Sequence, residues 1–233
     1  MKKQLICFAV ASLLLPGVSF AGDWHTSGKG LAPLAPPVQE SCLSYDFIDL
    51  EYVHSAYDAG YIDDGQGFGF GFSKSLGHNF FLTGGFNGGS FDYNWAPHIG
   101  SVDTRAFRLG LGTHVALAKC VDLTFEGGAT HVDAEFQNIH PVVEYDSWGY
   151  YVGPGLRARS GRLEVYAKAL YFDRSGDGIP GHPYTSPNGA FAGHGWLFTP
   201  GMIFHLNEVF GIKVGGEFGE DTSNLLVGGR FHF

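Results

Sequence analysis

At 233 residues, 44% hydrophobic and only 16% charged, the chain sets 14 basic against 23 acidic side chains, for a net charge of −9. That balance excludes a nucleic-acid partner, because phosphate binding needs a basic patch. Glycine (36) and phenylalanine (21) are heavily used. Past the N-terminus no apolar stretch approaches the roughly 18 residues of a membrane helix, which excludes a helical membrane protein and points to strands.

The first element reads as a secretory signal over residues 1–21. Lys2 and Lys3 make a basic start and Leu5 to Leu15 an apolar core. Val18-Ser19-Phe20-Ala21 then places small residues around a cleavage point after Ala21. The core is too short to span a membrane, and no lipoprotein acylation pattern follows Cys7. The mature chain is therefore expected to be exported without a lipid anchor, and to be more acidic still once Lys2 and Lys3 are gone. Residues 22–43, with Pro33, Pro36 and Pro37 and little periodicity, read as an extended tail.

Residues 44–233 alternate strand patterns with turn signals. Strands are predicted over Tyr45–His54, Gly67–Leu76, Phe80–Phe91, Thr104–Leu117, Val121–Phe136, Ser147–Arg159, Arg162–Phe172, Gly195–Leu206, Phe210–Gly219 and Asn224–Phe233. That makes ten, with eight as the alternative count. Leu163–Phe172 has helix propensity in its Glu-Val-Tyr-Ala-Lys-Ala stretch, but its strict alternation argues for a strand. The connections at 76–79, 118–120, 160–161 and 207–209 are short. Those near 55–66, 92–103, 137–146 and 173–194 are long, with 220–223 the exception. Short turns on one side and long loops on the other are what a membrane-spanning barrel shows. The predicted fold class is all-β: a closed, antiparallel, up-and-down transmembrane β-barrel. The rival is a soluble β-sandwich, which has no reason to sort its loops by length.

Strand parity separates two faces. One carries Ile48, Leu50, Tyr52, Phe107, Leu109, Leu111, Val115, Leu123, Phe125, Leu163, Val165, Ala167, Ile212, Val214, Phe218, Leu225, Val227 and Phe231 and is almost free of charge. The other carries Asp49, Glu51, Arg108, Glu126, Arg157, Glu164, Lys168, Lys213, Glu217 and Arg230. Five acids balance five bases, which suits a lumen in which opposite charges pair, since an unpaired buried charge is costly. Arg230 is expected to face Asp49 or Glu51 where the last strand closes on the first. Phe91, Tyr93, Trp95, Trp148, Tyr150, Tyr171, Trp196 and Phe198 read as an external aromatic belt. Phe72, Phe80, Phe81, Phe210 and Phe233 read as its periplasmic counterpart.

The last nine residues, Leu225 to Phe233, alternate strictly and end on a bare phenylalanine. This resembles the C-terminal insertion signal of small bacterial outer-membrane β-barrel proteins, with Phe231 and Phe233 in its apolar positions. The resemblance implies an OmpA-like or porin-like barrel in the outer membrane. It also implies partners in outer-membrane lipid and lipopolysaccharide and in the barrel-insertion machinery; a monomer is expected. The tail at 22–43 would then be periplasmic.

Cys42 and Cys120 are the mature cysteines. Both map to the periplasmic side, so an oxidising compartment favours a disulfide between them. His131 and Asp133 share a face, with Asp92 or Glu135 as a further carboxylate, the minimum for a barrel enzyme. No nucleophile motif accompanies them, and their parity points them outward. His98, His140, His182 and His194 are scattered one per loop without metal-site spacing. The acids Asp58, Asp63, Asp64, Asp103, Glu144, Asp146, Asp177, Glu220 and Asp221 read as a hydrated loop surface. No catalytic residue, metal or cofactor is expected. The reading is a non-enzymatic barrel with a charge-filled lumen that acts structurally or through its loops. A narrow porin-like channel is the alternative, with Gly69, Gly71, Gly110, Gly112, Gly153 and Gly155 leaving space beside the charges. A lipid-modifying or hydrolytic barrel is the third.

Overall fold

The computed structural model describes residues 42–57, 63–77, 79–95, 98–137, 143–176, 193–220 and 222–233. The expected signal and nearly all of the tail lie outside the described residues, as do Asp58, His140, Asp177, His182 and Asp221.

Ten strands follow in chain order: β1 Phe47–Tyr57, β2 Gly65–Gly77, β3 Phe80–Trp95, β4 His98–Ala118, β5 Val121–Phe136, β6 Val143–Ser160, β7 Leu163–Gly176, β8 Gly193–His205, β9 Phe210–Phe218 and β10 Thr222–His232. Each pairs antiparallel with its sequence neighbours. β10 pairs with β1, with Asp49 opposite Arg230, and this closes the sheet into a barrel. Closure removes both edges, so every strand finds hydrogen-bond partners within the sheet, as lipid requires. Leu163–Phe172 is strand, not helix.

One end of the barrel is built from tight turns. The β6–β7 turn uses Gly161 at φ 59°, and the β4–β5 turn puts Cys120 at φ 63°. Asn207 Oδ1 accepts from the backbone N–H of Val209 and of Phe210, at 2.9 and 2.7 Å, and so fixes the β8–β9 turn. At the opposite end the strands run on past their predicted limits. β4 starts at His98 rather than Thr104, β6 at Val143 rather than Ser147, and β3 and β7 end four residues late. The loop expected at 92–103 is therefore a tight hairpin joining Trp95 to His98. Asp103, Glu144 and Asp146 are strand residues, as are His98 and His194. Beyond the bilayer the outward face of a strand meets water, while the inward face stays buried at Phe91, Tyr93, Val102 and Tyr145. Apolar alternation fades there although the hydrogen-bonded ladder continues.

Outside, the apolar face is exposed or half-buried along every strand. On β4 it runs Phe107, Leu109, Leu111, Val115, Leu117. At about 3.3 Å per residue and a tilt near 40°, the span from Phe107 to Leu117 covers about 25 Å of membrane thickness. Exposed Arg105 begins the polar zone above it. Trp148, Tyr150, Trp196 and Phe198 are also exposed outward, in the position of a belt. Phe91, Tyr93 and Phe81 are corrections: all three are buried inside. Phe80 and Phe81 are adjacent, so only one can face lipid, and Phe91 and Tyr93 share the parity of Phe81.

Candidate functional site: the filled bore

All ten charges predicted for the inward face meet an opposite charge. Arg230 donates to Asp49 through Nε at 2.7 Å and Nη2 at 2.8 Å, and its Nη1 lies 3.6 Å from Glu164. Lys213 reaches Asp49 at 2.7 Å and also bonds Glu51. Arg157 donates twice to Glu164 Oε1, at 3.0 and 2.7 Å, and His205 Nε2 sits 3.2 Å from Glu164 Oε2. These contacts form one chain from Arg157 through Glu164, Arg230, Asp49 and Lys213 to Glu51. Two separate pairs complete the set: Lys168 with both oxygens of Glu126 at 2.9 and 2.8 Å, and Arg108 with Glu217 at 3.3 Å. Glu217 also accepts from Asn224 Nδ2 at 3.3 Å.

The Arg108–Glu217 pair has a particular geometry. β4 and β9 lie five strands apart in either direction around the ring, so this pair spans a full diameter. Lys213–Asp49, by contrast, joins strands two apart. A diametric bridge is possible only in a narrow barrel, whose bore two side chains can cross.

Below the charge chain, residues 43–47 turn into the turn-end mouth. Tyr45 stacks on Phe81 at 4.8 Å and on His114 at 4.2 Å, and its hydroxyl donates to Asp122 Oδ2 at 2.9 Å. Arg157 lies 4.5 Å over the Tyr45 ring and donates to the Ser44 carbonyl at 3.1 Å. Arg230 covers the Phe47 ring at 3.5 Å. Leu43, Tyr45 and Phe81 form one buried cluster. The segment is tied down by the Cys42–Cys120 disulfide, with Cα atoms 4.9 Å apart. The pairing, with the segment it holds across the mouth, was an expectation from compartment; the wedging of the Tyr45 ring was not. Its signal was present, because Leu43, Tyr45 and Phe47 share the inward parity of Asp49. Asp122 and Arg174 were likewise missed, although they share the parity of Glu126 and Glu164.

The space beside most of the inward glycines is filled by neighbouring groups, while Gly69 and Gly71 border the smaller of two cavities. A Cβ at Gly112 would lie 2.2 Å from the Phe81 ring, and at Gly110 2.4 Å from the Tyr151 hydroxyl. Tyr166 occupies the notches at Gly201 and Gly215 in the same way. The space expected at Gly69 is taken by Asn87 and that at Gly155 by Thr124, while Gly153 lies against the Ala169 carbonyl. At Gly71 the nearest neighbour is the Asp49 side chain. Glycine serves here to admit large side chains from neighbouring strands. Two cavities remain, one of about 140 Å³ beside the charge chain and one of about 220 Å³ reaching the opposite end. The Arg108–Glu217 bridge lines both.

His131 and Asp133 point away from this bore. His131 stacks on outward-facing Trp148 at 4.2 Å, opposite Phe107 on β4. Its Nε2 lies 2.9 Å from Asp146 and 3.4 Å from Asp133. Among the described residues, these three have ligand atoms close enough together to hold a metal ion. Asp92 and Glu135, the further candidates, are exposed. Phe231 and Phe233 are exposed outward, with Lys74 Nζ 4.9 Å over the Phe233 ring.

An apolar exterior, a closed antiparallel ring and a charged interior together decide the class. The chain is a small β-barrel of the outer-membrane type. In barrels of this type the tight-turn end faces the periplasm. No family model matches the chain, and no curated protein does. Solved structures of the same architecture do. The transport unit of the autotransporter AIDA-I from Escherichia coli is similar at 9% identity and TM-score 0.52, over 82% of this chain and 91% of that one. OprG from Pseudomonas aeruginosa gives 9% identity and TM-score 0.43 over 80% and 94%, and the KdgM porin 10% and 0.41 over 79% and 99%. At 9% identity the likeness to the AIDA-I transport unit is one of fold.

Proposed function

We infer that the protein is a non-enzymatic outer-membrane barrel whose bore is closed on the periplasmic side and whose work is done at its external face. The observation that carries this is the filled bore. Tyr45 wedges the mouth, and the ten predicted inward charges pair with one another around a cavity of only about 140 Å³. Small barrels are generally filled by side chains, whereas aqueous channels come with many more strands. Outer-membrane lipid and lipopolysaccharide would surround the apolar belt of a monomer, and Phe231 and Phe233 would serve the insertion machinery. The second reading, a narrow channel, draws on the two cavities that share the Arg108–Glu217 wall. Planar-bilayer recording separates them. The purified protein is expected to give no steps at any voltage. Stable unitary conductance in the disulfide-bonded protein would overturn closure.

A further inference from the structure

Arg174 stands apart from the ten paired charges. It lies near the external end of β7, and its guanidinium sits 5.5 Å from the centre of the Phe172 ring. Its Nε is buried and makes no hydrogen bond. Among the described residues no carboxylate forms an ion pair with it. The residue as a whole is half-buried, and a partly desolvated guanidinium without a carboxylate partner is costly, so its retention here calls for a reason.

The space in front of it supplies one. The cavity of about 220 Å³ is lined by Arg174, Arg108, Asn87, Thr130, Phe172 and Leu197, among others. Arg108 is neutralised by Glu217. Glu220 at the rim is exposed, where water and salt screen its charge. Among the described residues, the interior of the cavity therefore holds one positive charge without an acidic partner. Phe172 and Leu197 offer an apolar wall, and Asn87 and Thr130 offer donors. The volume is below that of drug-sized pockets and limits an occupant to about a single ring.

The geometry points to a binding site in the external vestibule for a small organic monocarboxylate carrying a compact apolar body, with Arg174 as its ion-pair partner. The guanidinium fork matches a carboxylate in two parallel hydrogen bonds, here from its terminal nitrogens, which are not buried as Nε is. The apolar body packs on Phe172 and Leu197. The site rests on the closed-bore reading, since a vestibule with a floor retains a ligand that a pore would pass.

The test titrates benzoate, with benzamide as its uncharged counterpart, into the refolded full-length barrel in detergent. Binding is read from broadening of the ligand's proton signals and from the Arg174 Nε–H resonance. Benzoate is expected to saturate with a Kd at or below about 1 mM, to shift that resonance, and to bind at least tenfold tighter than benzamide. Arg174→Gln is expected to weaken benzoate at least tenfold, and Arg174→Lys to retain part of the affinity. Equal binding of benzoate and benzamide to the wild-type barrel overturns the site whether or not the variants fold, as does undiminished benzoate binding by folded Arg174→Gln. Conductance is measured separately. A conducting barrel that still binds benzoate through Arg174 removes the closed bore and leaves the site standing.

Discussion

Replacing Arg230 with methionine tests whether the bore is as dry and as paired as its geometry says. Methionine keeps much of the stem volume but removes both bonds to Asp49, at 2.7 and 2.8 Å, the longer contact to Glu164 and the cation over Phe47. Breaking a buried pair from one side typically costs about 3–5 kcal/mol, because the other charge is left behind. Here Asp49 keeps Lys213 at 2.7 Å, and Glu164 keeps Arg157 and His205. The lower end, about 3 kcal/mol, is therefore expected. With a urea slope near 2 kcal/mol per molar, that moves the unfolding midpoint down by about 1.5 M. The assay is urea titration of the barrel refolded into lipid vesicles, followed by tryptophan emission and by gel mobility without boiling. Asp49→Asn combined with Arg230→Met should cost clearly less than the two single changes added together, since the charges are then removed as a pair. A loss below about 0.5 kcal/mol for Arg230→Met would match a solvated surface pair, and would refute the idea of a bore filled by its own ion pairs.

Three further outcomes follow from the same geometry. Tyr45→Ala removes a ring packed on Phe81 and His114 and leaves Asp122 without that hydroxyl, so a loss of about 3–5 kcal/mol is expected in the same titration; an unchanged midpoint would mean that residue 45 does not seal the mouth. Exchanging Cys42 and Cys120 for serine frees a link across a sequence separation of 78 residues, worth about 4 kcal/mol in the chain-entropy account. Midpoints that coincide with and without reductant would show that the bond does not constrain the barrel. Gly112→Val drives a side chain into the Phe81 ring and should cost about 2 kcal/mol as overpacking. Adding Phe81→Ala should return part of that loss by vacating the space, and no recovery would mean that the glycine is not a notch for this ring.

The strands and their facing were legible because lipid makes one face of each strand uniformly apolar, from Leu50 and Tyr52 on β1 to Val227 and Phe231 on β10. A one-residue slip would drive Arg230 or Glu164 into the bilayer, so parity is tightly specified by the sequence. The external strand ends were not legible. Past Phe107 on β4 and Trp148 on β6 the outward face turns polar, and Asp103 or Asp146 reads as loop although its backbone stays in the ladder. Parity could say that Arg108 and Glu217 face inward. It could not say that they meet, because that contact exists only once ten strands have closed and set β4 diametrically opposite β9. The same holds for Gly112, whose missing side chain gains its meaning only from the ring of Phe81 on the neighbouring strand. Sequence periodicity by itself therefore determined which way each residue points. Closure of the barrel decided which residue it finds there, because contacts across the bore depend on its diameter and stagger rather than on any local pattern.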